Sequence, residues 1–160
     1  MGMKHTLSVL VENKPGVLAR VAELFARRGF NIESLAVGTT EKPDISRMTI
    51  VVDVEEHSLE QVRKQLHKLI NVIEITDLDP ETSVAREMVM AKIKVDAGNR
   101  SEVIEIADIF RGNIIDVSSE SIIVEVTGNA PKLRAFEDLL KPYGIRELVR
   151  TGKVALPRGK

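Results

Sequence analysis

Apolar and polar residues alternate with two different periods along the first half of the chain, and these periods predict its elements. A period of two predicts strands over residues 6–11, 31–37, 48–54 and 72–78. Between them, apolar residues recur at every third or fourth position, which predicts helices over residues 15–28 and 58–69. The order β-α-β-β-α-β favours an antiparallel four-stranded sheet with both helices on one face.

The same order of periods returns in the second half. Strands are predicted over residues 87–95, 113–117 and 121–127, and helices over residues 103–110 and 133–140. Residues 145–156 are expected to supply the last strand and a short tail. A polar stretch that contains Pro80 separates the halves. We therefore expect the α+β class, with two ferredoxin-like βαββαβ domains over residues 1–79 and 87–160 and a linker over residues 80–86.

Single residues predict several helix ends. Ser58 suits the N-cap of the second helix, and Gly29 is expected to end the first helix in the left-handed conformation. In the second half, Gly112 follows Phe110 much as Gly29 follows Phe25. A similar glycine cap is therefore expected there.

Composition and charge argue against several classes of function. The 23 basic and 24 acidic residues nearly balance, whereas proteins that bind nucleic acid or anionic membranes usually carry a basic excess. The chain has no cysteine, which excludes disulfides and thiolate sites. No apolar run approaches the ~20 residues that span a bilayer, and no apolar signal core follows the first residues. We expect a cytoplasmic protein that binds neither nucleic acid nor membrane.

Catalytic and metal-binding patterns are missing from the sequence. His5, His57 and His67 do not have the spacing of metal ligands. No glycine-rich phosphate-binding motif occurs, and the acidic residues fall mostly in turns and on polar helix faces. We expect no catalytic residue, no metal site and no cofactor in this chain.

The segment Asn13-Lys14-Pro15-Gly16 lies between the first strand and the first helix. A helix N-terminus attracts a carboxylate, Gly16 allows a ligand to approach the backbone, and Asn13 can donate and accept hydrogen bonds. Asn31 could supply a second amide, and an aliphatic group could contact Val17, Leu18 and Ile32. A simple turn with a helix cap explains the same residues, so both interpretations stay open at this point.

Several segments resemble a known family. The opening resembles an ACT domain, and the whole chain is more narrowly similar to the small regulatory subunit of acetohydroxyacid synthase (acetolactate synthase). The segments that carry this resemblance are residues 10–18, 24–35, 46–50, 64–69, 86–87, 110–117 and 150–152. It covers nearly the whole chain.

The resemblance implies a function for both halves. The ACT domain would pair with its copy in a second chain and bind valine, or leucine or isoleucine, at that interface. The implied effector-binding residues are Asn13, Pro15, Gly16, Val17 and Leu18 of one chain, facing Asn31 and Ile32 of the other. A large catalytic subunit would hold thiamine diphosphate, magnesium and FAD. It would be activated by this chain and inhibited through the effector in branched-chain amino acid biosynthesis.

Two alternatives belong to other classes of protein. A free-standing ACT-domain sensor that acts on another enzyme or a transcription factor would share the opening segments. It would have no reason to carry residues 110–117 or 150–152. A small ferredoxin-like enzyme would need a catalytic constellation, which the sequence lacks.

Overall fold

The structure, a computed structural model, describes residues 3–159 and their side chains except those of residues 56 and 57. The outer bounds of the two predicted domains, residues 1, 2 and 160, lie outside the described residues. The side chain of His57 is likewise not described. The chain divides into two compact units. The first unit is Met1–Ala85 with Lys153–Lys160, and the second is Arg86–Gly152.

The described residues form strands and helices in an order that repeats once. In chain order these are β1 (Met3–Glu12), α1 (Val17–Arg27), β2 (Ile32–Thr39), β3 (Ile45–Val54), α2 (Glu56–His67), β4 (Val72–Leu78), β5 (Ser83–Lys94), α3 (Arg100–Ile109), β6 (Asn113–Val117), β7 (Ser121–Gly128), α4 (Ala130–Leu140), β8 (Ile145–Arg150) and β9 (Val154–Pro157). A short 3₁₀ helix, Lys141–Tyr143, follows α4.

The first unit contains an antiparallel sheet with the strand order β2-β3-β1-β4. Alternate residues of β1 and β3 face the helices, because side chains along a strand point to opposite faces in turn. They meet apolar residues of α1 and α2 at helical spacing. The buried cluster consists of Leu7, Val9, Val11, Val17, Val21, Phe25, Met48, Ile50, Val52, Val54, Leu59, Val62, Leu66 and Ile75.

The second unit repeats this arrangement with the strand order β6-β7-β5-β8. Its core again joins one face of the sheet to the inner faces of two helices, here α3 and α4. The buried cluster consists of Val89, Ala91, Ile93, Val95, Val103, Ala107, Ile122, Val124, Val126, Leu133, Phe136 and Leu140. The predicted fold class, two βαββαβ domains, is confirmed.

The C-terminal segment differs from its predicted path. Over residues 145–156, where a last strand and a short tail are predicted, β8 ends at Arg150 and the expected tail forms the separate strand β9. Between them, Gly152 adopts a left-handed φ of 87°. The backbone N–H of Lys153 then donates to Ser34 Oγ at 2.8 Å, and Arg158 N–H donates to the Thr82 carbonyl at 2.7 Å. With Ala155 only 5% exposed, the last residues pack in the first unit. The predicted domain functions and the linker over residues 80–86 stay predictions, and β5 begins within that linker at Ser83.

The helix ends correct two predictions. Helix α2 begins at Glu56 with Glu55 as its N-cap, so the N-cap prediction for Ser58 is wrong. Gly29 has a φ of 71° as predicted, but after α3 the left-handed residue is Arg111, with a φ of 57°, and not Gly112. A Cβ at Gly112 would lie 2.8 Å from Val126 Cγ2. The glycine is needed there because the helix end packs closely on β7.

Candidate functional site

The turn that joins β1 to α1 is held by hydrogen bonds to the turn between β2 and β3. Asn13 donates through its side-chain amide to the Pro43 carbonyl at 3.1 Å and through its backbone N–H to the Asp44 carbonyl at 2.8 Å. Lys14 and Glu12 form a salt bridge of 2.6 Å on the exposed surface beside it. The position of Asn13 is therefore fixed by a second loop of the same unit.

The N-terminus of α1 is accessible. Gly16 is its N-cap, with φ 85° and ψ −10°, and no side chain caps the helix. The first turn contains no acidic residue, and a Cβ at Gly16 would meet no atom within 4 Å. A helix N-terminus combines N–H donors with the positive end of the helix dipole. This end of α1 can therefore accept an anion such as a carboxylate.

The apolar residues beside this turn differ in exposure. Leu18 is 45% exposed, whereas Val17 is 4% exposed. Val17 belongs to the core cluster that includes Val21 and Phe25, since residues spaced by four lie on the same helix face. Pro15 is exposed in the turn itself. A ligand at this turn would meet Leu18 and Pro15 more readily than Val17.

Asn31 and Ile32 lie at the other end of α1. The helix has 11 residues, which gives a length of about 16 Å. Ile32 pairs with Val52, which pairs with His5 near the start of β1, whereas Asn13 follows the end of β1. Within one chain, the structure brings together residues 13–18 and separates them from residues 31–32. Asn31 is exposed, and Ile32 packs partly against the core.

The corresponding turn of the second unit, between β5 and α3, is filled by its own side chains. Asp96 Oδ1 accepts hydrogen bonds from the backbone N–H groups of Gly98 at 2.8 Å and Asn99 at 3.0 Å. Asn99 Oδ1 in turn accepts from Asp96 N–H at 2.7 Å, and Glu102 adds a carboxylate to the first turn of α3. An internal carboxylate therefore occupies the turn that is accessible in the first unit.

Sequence reasoning did not find a groove on the other face of the first sheet. Arg47 Nη1 donates to Ser8 Oγ at 2.6 Å on this face. Beside them lies a cavity of about 470 Å³, whose lining includes Arg47, Thr49 and the β9 residues Val154, Ala155 and Leu156. No local signal could have revealed it, because the groove depends on where the C-terminal segment packs.

Hydrogen bonds shift the pKa of two ionisable groups in the second unit. A hydrogen bond to Glu102 raises the pKa of Tyr143, and a hydrogen bond from Lys92 lowers the pKa of Glu147. Glu147 is exposed, whereas Tyr143 is partly buried and packs against the core of the second unit. Among residues 3–159, no group of three or more His, Cys, Asp or Glu side chains is placed to hold a metal ion. In the same part of the chain, no helix is long and apolar enough to cross a membrane.

Comparison with protein-family models matches both units. Residues 7–74 match the small subunit-like ACT domain of acetohydroxyacid synthase, and residues 86–159 match the small subunit of acetolactate synthase. This chain belongs to the acetolactate synthase small-subunit family. The match over residues 86–159 favours a subunit of this synthase over a free-standing ACT-domain sensor.

Relatives and a solved structure agree with this family over nearly the full length. The acetolactate synthase small subunit of Mycobacterium bovis is 63% identical over 155 residues, which cover 97% of this chain and 92% of the relative. A probable acetolactate synthase small subunit of Archaeoglobus fulgidus is 58% identical and covers 98% of both chains. The crystal structure of the acetolactate synthase small subunit from Thermotoga maritima has 46% identity and a TM-score of 0.93 over 99% of both chains.

Membership of the acetolactate synthase small-subunit family assigns this chain a regulatory and non-catalytic role. Its partner is the large catalytic subunit, and the cofactors of the synthase belong to that partner.

Proposed function

We propose that this chain activates the catalytic subunit of acetolactate synthase and makes it subject to feedback inhibition by a branched-chain amino acid, with valine as the leading effector. The observation that carries the proposal is the accessible N-terminus of α1, where Gly16 caps the helix without a side chain. The filled turn at Asp96 supports the assignment of this role to the first unit alone.

The chemistry of an amino acid suits this turn. Its α-carboxylate would accept hydrogen bonds from the first N–H groups of α1. The Asn13 amide nitrogen is used by the Pro43 carbonyl, which leaves its oxygen to accept from the α-ammonium group. Leu18, nearly half exposed, would contact a short aliphatic side chain.

We propose that two chains complete the site. Strand β2 lies at an edge of the sheet, and an exposed edge can pair with its copy across a two-fold axis. Such an axis would set the two α1 helices antiparallel. The start of α1 in one chain would then lie near Asn31 and Ile32 at the end of α1 in the other. Exposed apolar groups on these elements, Leu18 and Val37, would be buried.

A site shared by two chains provides a route for inhibition. An effector that binds the paired arrangement more tightly than the unpaired one shifts the equilibrium toward the paired arrangement. The size of this shift is set by the difference between the two affinities. A coupling of ~1–3 kcal/mol would change affinity or activity by roughly 5- to 150-fold. This range is sufficient for feedback control.

The test is the activity of the cognate large subunit with and without this chain, measured across titrations of valine, leucine and isoleucine. We expect activation by the chain and reversal by valine at lower concentration than by the other two. Absence of activation at every subunit ratio would contradict the proposal and favour the free-standing sensor. Activation that no branched-chain amino acid reverses would contradict the effector assignment alone.

A further inference from the structure

A basic surface covers the outer sides of α1 and α2 in the first unit. Two shallow cavities of about 360 and 510 Å³ lie along these helices and share Arg28, Gln65 and Lys68 in their linings. We call this surface the basic helical patch. Its charged members are Arg20, Glu23, Arg27, Arg28, Lys64 and Lys68.

The patch concentrates positive charge in a chain that has little overall. Five basic side chains and one acidic side chain give it a net charge of +4, whereas the whole chain carries −1. The acidic member, Glu23, is already paired with Arg27 at 2.8 Å. Within about a Debye length, roughly 8–10 Å at physiological salt, the remaining cations act together on an approaching anion.

Part of the patch is fixed and part is available. Arg20 donates to Asn71 Oδ1 at 2.7 Å, and Asn71 is 8% exposed, so this guanidinium is held in place. Arg28, Lys64 and Lys68 are exposed, and their side chains make no hydrogen bond or ion pair with the described residues. Unpaired cations on a rigid helical surface favour recognition of an acidic partner.

The charge of the patch also selects the class of partner. A second copy of this chain docked through the same patch would bring two surfaces of +4 together, which opposes an isologous contact. Nucleic acid is disfavoured because the chain is acidic overall and no aromatic side chain lines either cavity. The patch extends along two helices, which suits a protein surface better than a single small anion.

We infer that the basic helical patch docks onto an acidic surface of the large catalytic subunit. The inference rests on the proposed function, since it assigns a contact surface to the association that activation requires. It separates the two tasks of the first unit: the turn at residues 13–18 binds the effector, and the outer helical surface binds the partner.

The test compares two double charge reversals that change the net charge equally. Lys64→Glu with Lys68→Glu alters the patch. Arg134→Glu with Arg146→Glu alters two exposed residues of the second unit, whose side chains make no hydrogen bond or ion pair with the described residues. Association with the large subunit is measured by sedimentation, and activation by activity titration, at low and moderate salt. Valine binding to each free variant, measured by calorimetry, checks that the first unit is intact.

We expect half-maximal association and activation of the large subunit to require at least about tenfold more of the patch variant than of the wild-type chain. Valine binding should be unchanged. The control should behave like the wild type, whose association should weaken with salt. Equal association of the patch variant and the wild type would overturn the inference and leave the proposed function standing. Wild-type chain that does not associate at all would instead refute the proposed function.

A single-stranded oligonucleotide tests the nucleic-acid alternative. If the wild type and the control bind it and the patch variant does not, while association with the large subunit is unchanged, the patch would be assigned to nucleic acid.

Discussion

The side-chain amide of Asn13 donates a hydrogen bond to the backbone carbonyl of Pro43 across 3.1 Å. This bond ties the turn before α1 to the turn between β2 and β3, so the proposed effector site is formed in advance. Asn13→Asp would replace the donor by a carboxylate that repels both the Pro43 carbonyl and the effector carboxylate. We expect the valine concentration for half-maximal inhibition to rise at least about tenfold, which corresponds to ~1.4 kcal/mol. Half-maximal inhibition at the same valine concentration as in the wild type would show that Asn13 does not contribute to the site.

Gly16 offers a test of the backbone approach. Gly16→Ala places a Cβ in open space but retains a left-handed residue, so we expect a loss of roughly 1–2 kcal/mol in unfolding free energy. Gly16→Asp adds a negative charge at the proposed carboxylate position and should abolish valine inhibition while activation persists. Urea unfolding and activity titrations separate the two effects. Gly16→Asp with normal inhibition would show that the effector binds elsewhere.

Asn31 has a matched control in the second unit. Asn31 and Asn113 both follow the first helix of their unit and lie at the start of the next strand. Asn31→Ala should weaken valine binding by about 1–3 kcal/mol if its amide is buried against the effector, whereas Asn113→Ala should leave it unchanged. Isothermal titration calorimetry measures both. Equal affinity in the two variants would count against a site that includes the far end of α1.

Substitution by alanine should destabilise the chain at Gly112 but leave its stability nearly unchanged at Gly38. A Cβ at Gly112 would lie 2.8 Å from Val126 Cγ2 and 3.1 Å from the Glu125 carbonyl. Gly112→Ala should therefore destabilise the chain by about 1–3 kcal/mol through overpacking. Gly38→Ala meets no atom within 4 Å and should change stability by less than about 0.5 kcal/mol. Thermal unfolding of both variants checks the pair, and a neutral Gly112→Ala would contradict the packing explanation.

Tyr143 can be titrated selectively because it is the only tyrosine in the sequence. Its hydroxyl donates to Glu102 Oε2 at 2.8 Å. This bond, with smaller contributions from desolvation and from the charges of Glu102 and Glu105, raises the pKa of Tyr143 above its ordinary value of 10.0. Ionisation, followed by phenolate absorbance, should therefore occur at higher pH than in free tyrosine. Glu102→Gln should lower the midpoint and Glu105→Gln should lower it less, and equal shifts would contradict the hydrogen bond as the main cause.

The fold was predictable because the two periods of the sequence are strong in both halves. Helix starts were less so: Ser58 has a side chain that suits an N-cap, but β3 ends at Val54 and the chain turns directly into α2. Gly112 was misassigned for a related reason. The sequence places a glycine just after α3, which suggested a left-handed helix cap. The structure shows that the glycine is needed because of its close contact with Val126 on β7, which the residues around Gly112 do not reveal.

The candidate site was predictable to the extent that it is local. Residues 13–18 are contiguous, so the turn followed from the sequence, although α1 begins at Val17 and not at the predicted Pro15. The burial of Val17 also follows from its spacing of four from Val21 and eight from Phe25, a signal that favours the core over a ligand contact. The separation of Asn31 from this turn, by contrast, depends on the direction of α1. The basic helical patch requires two helices to lie side by side, which no single segment reveals.

The return of residues 153–158 to the first unit makes the second unit an insertion within the first. The chain crosses between the units twice, at residues 85–86 and 152–153, and Gly152 adopts a left-handed φ beside the second crossing. A proteolytic cut at residues 85–86 would leave residues 153–158 covalently attached to the second unit, although they pack in the first. A simple N-terminal fragment would lack the buried Ala155 and the bonds to Ser34 and Thr82. The appropriate minimal effector-binding protein therefore retains both ends of the chain, with residues 86–152 replaced by a short connector.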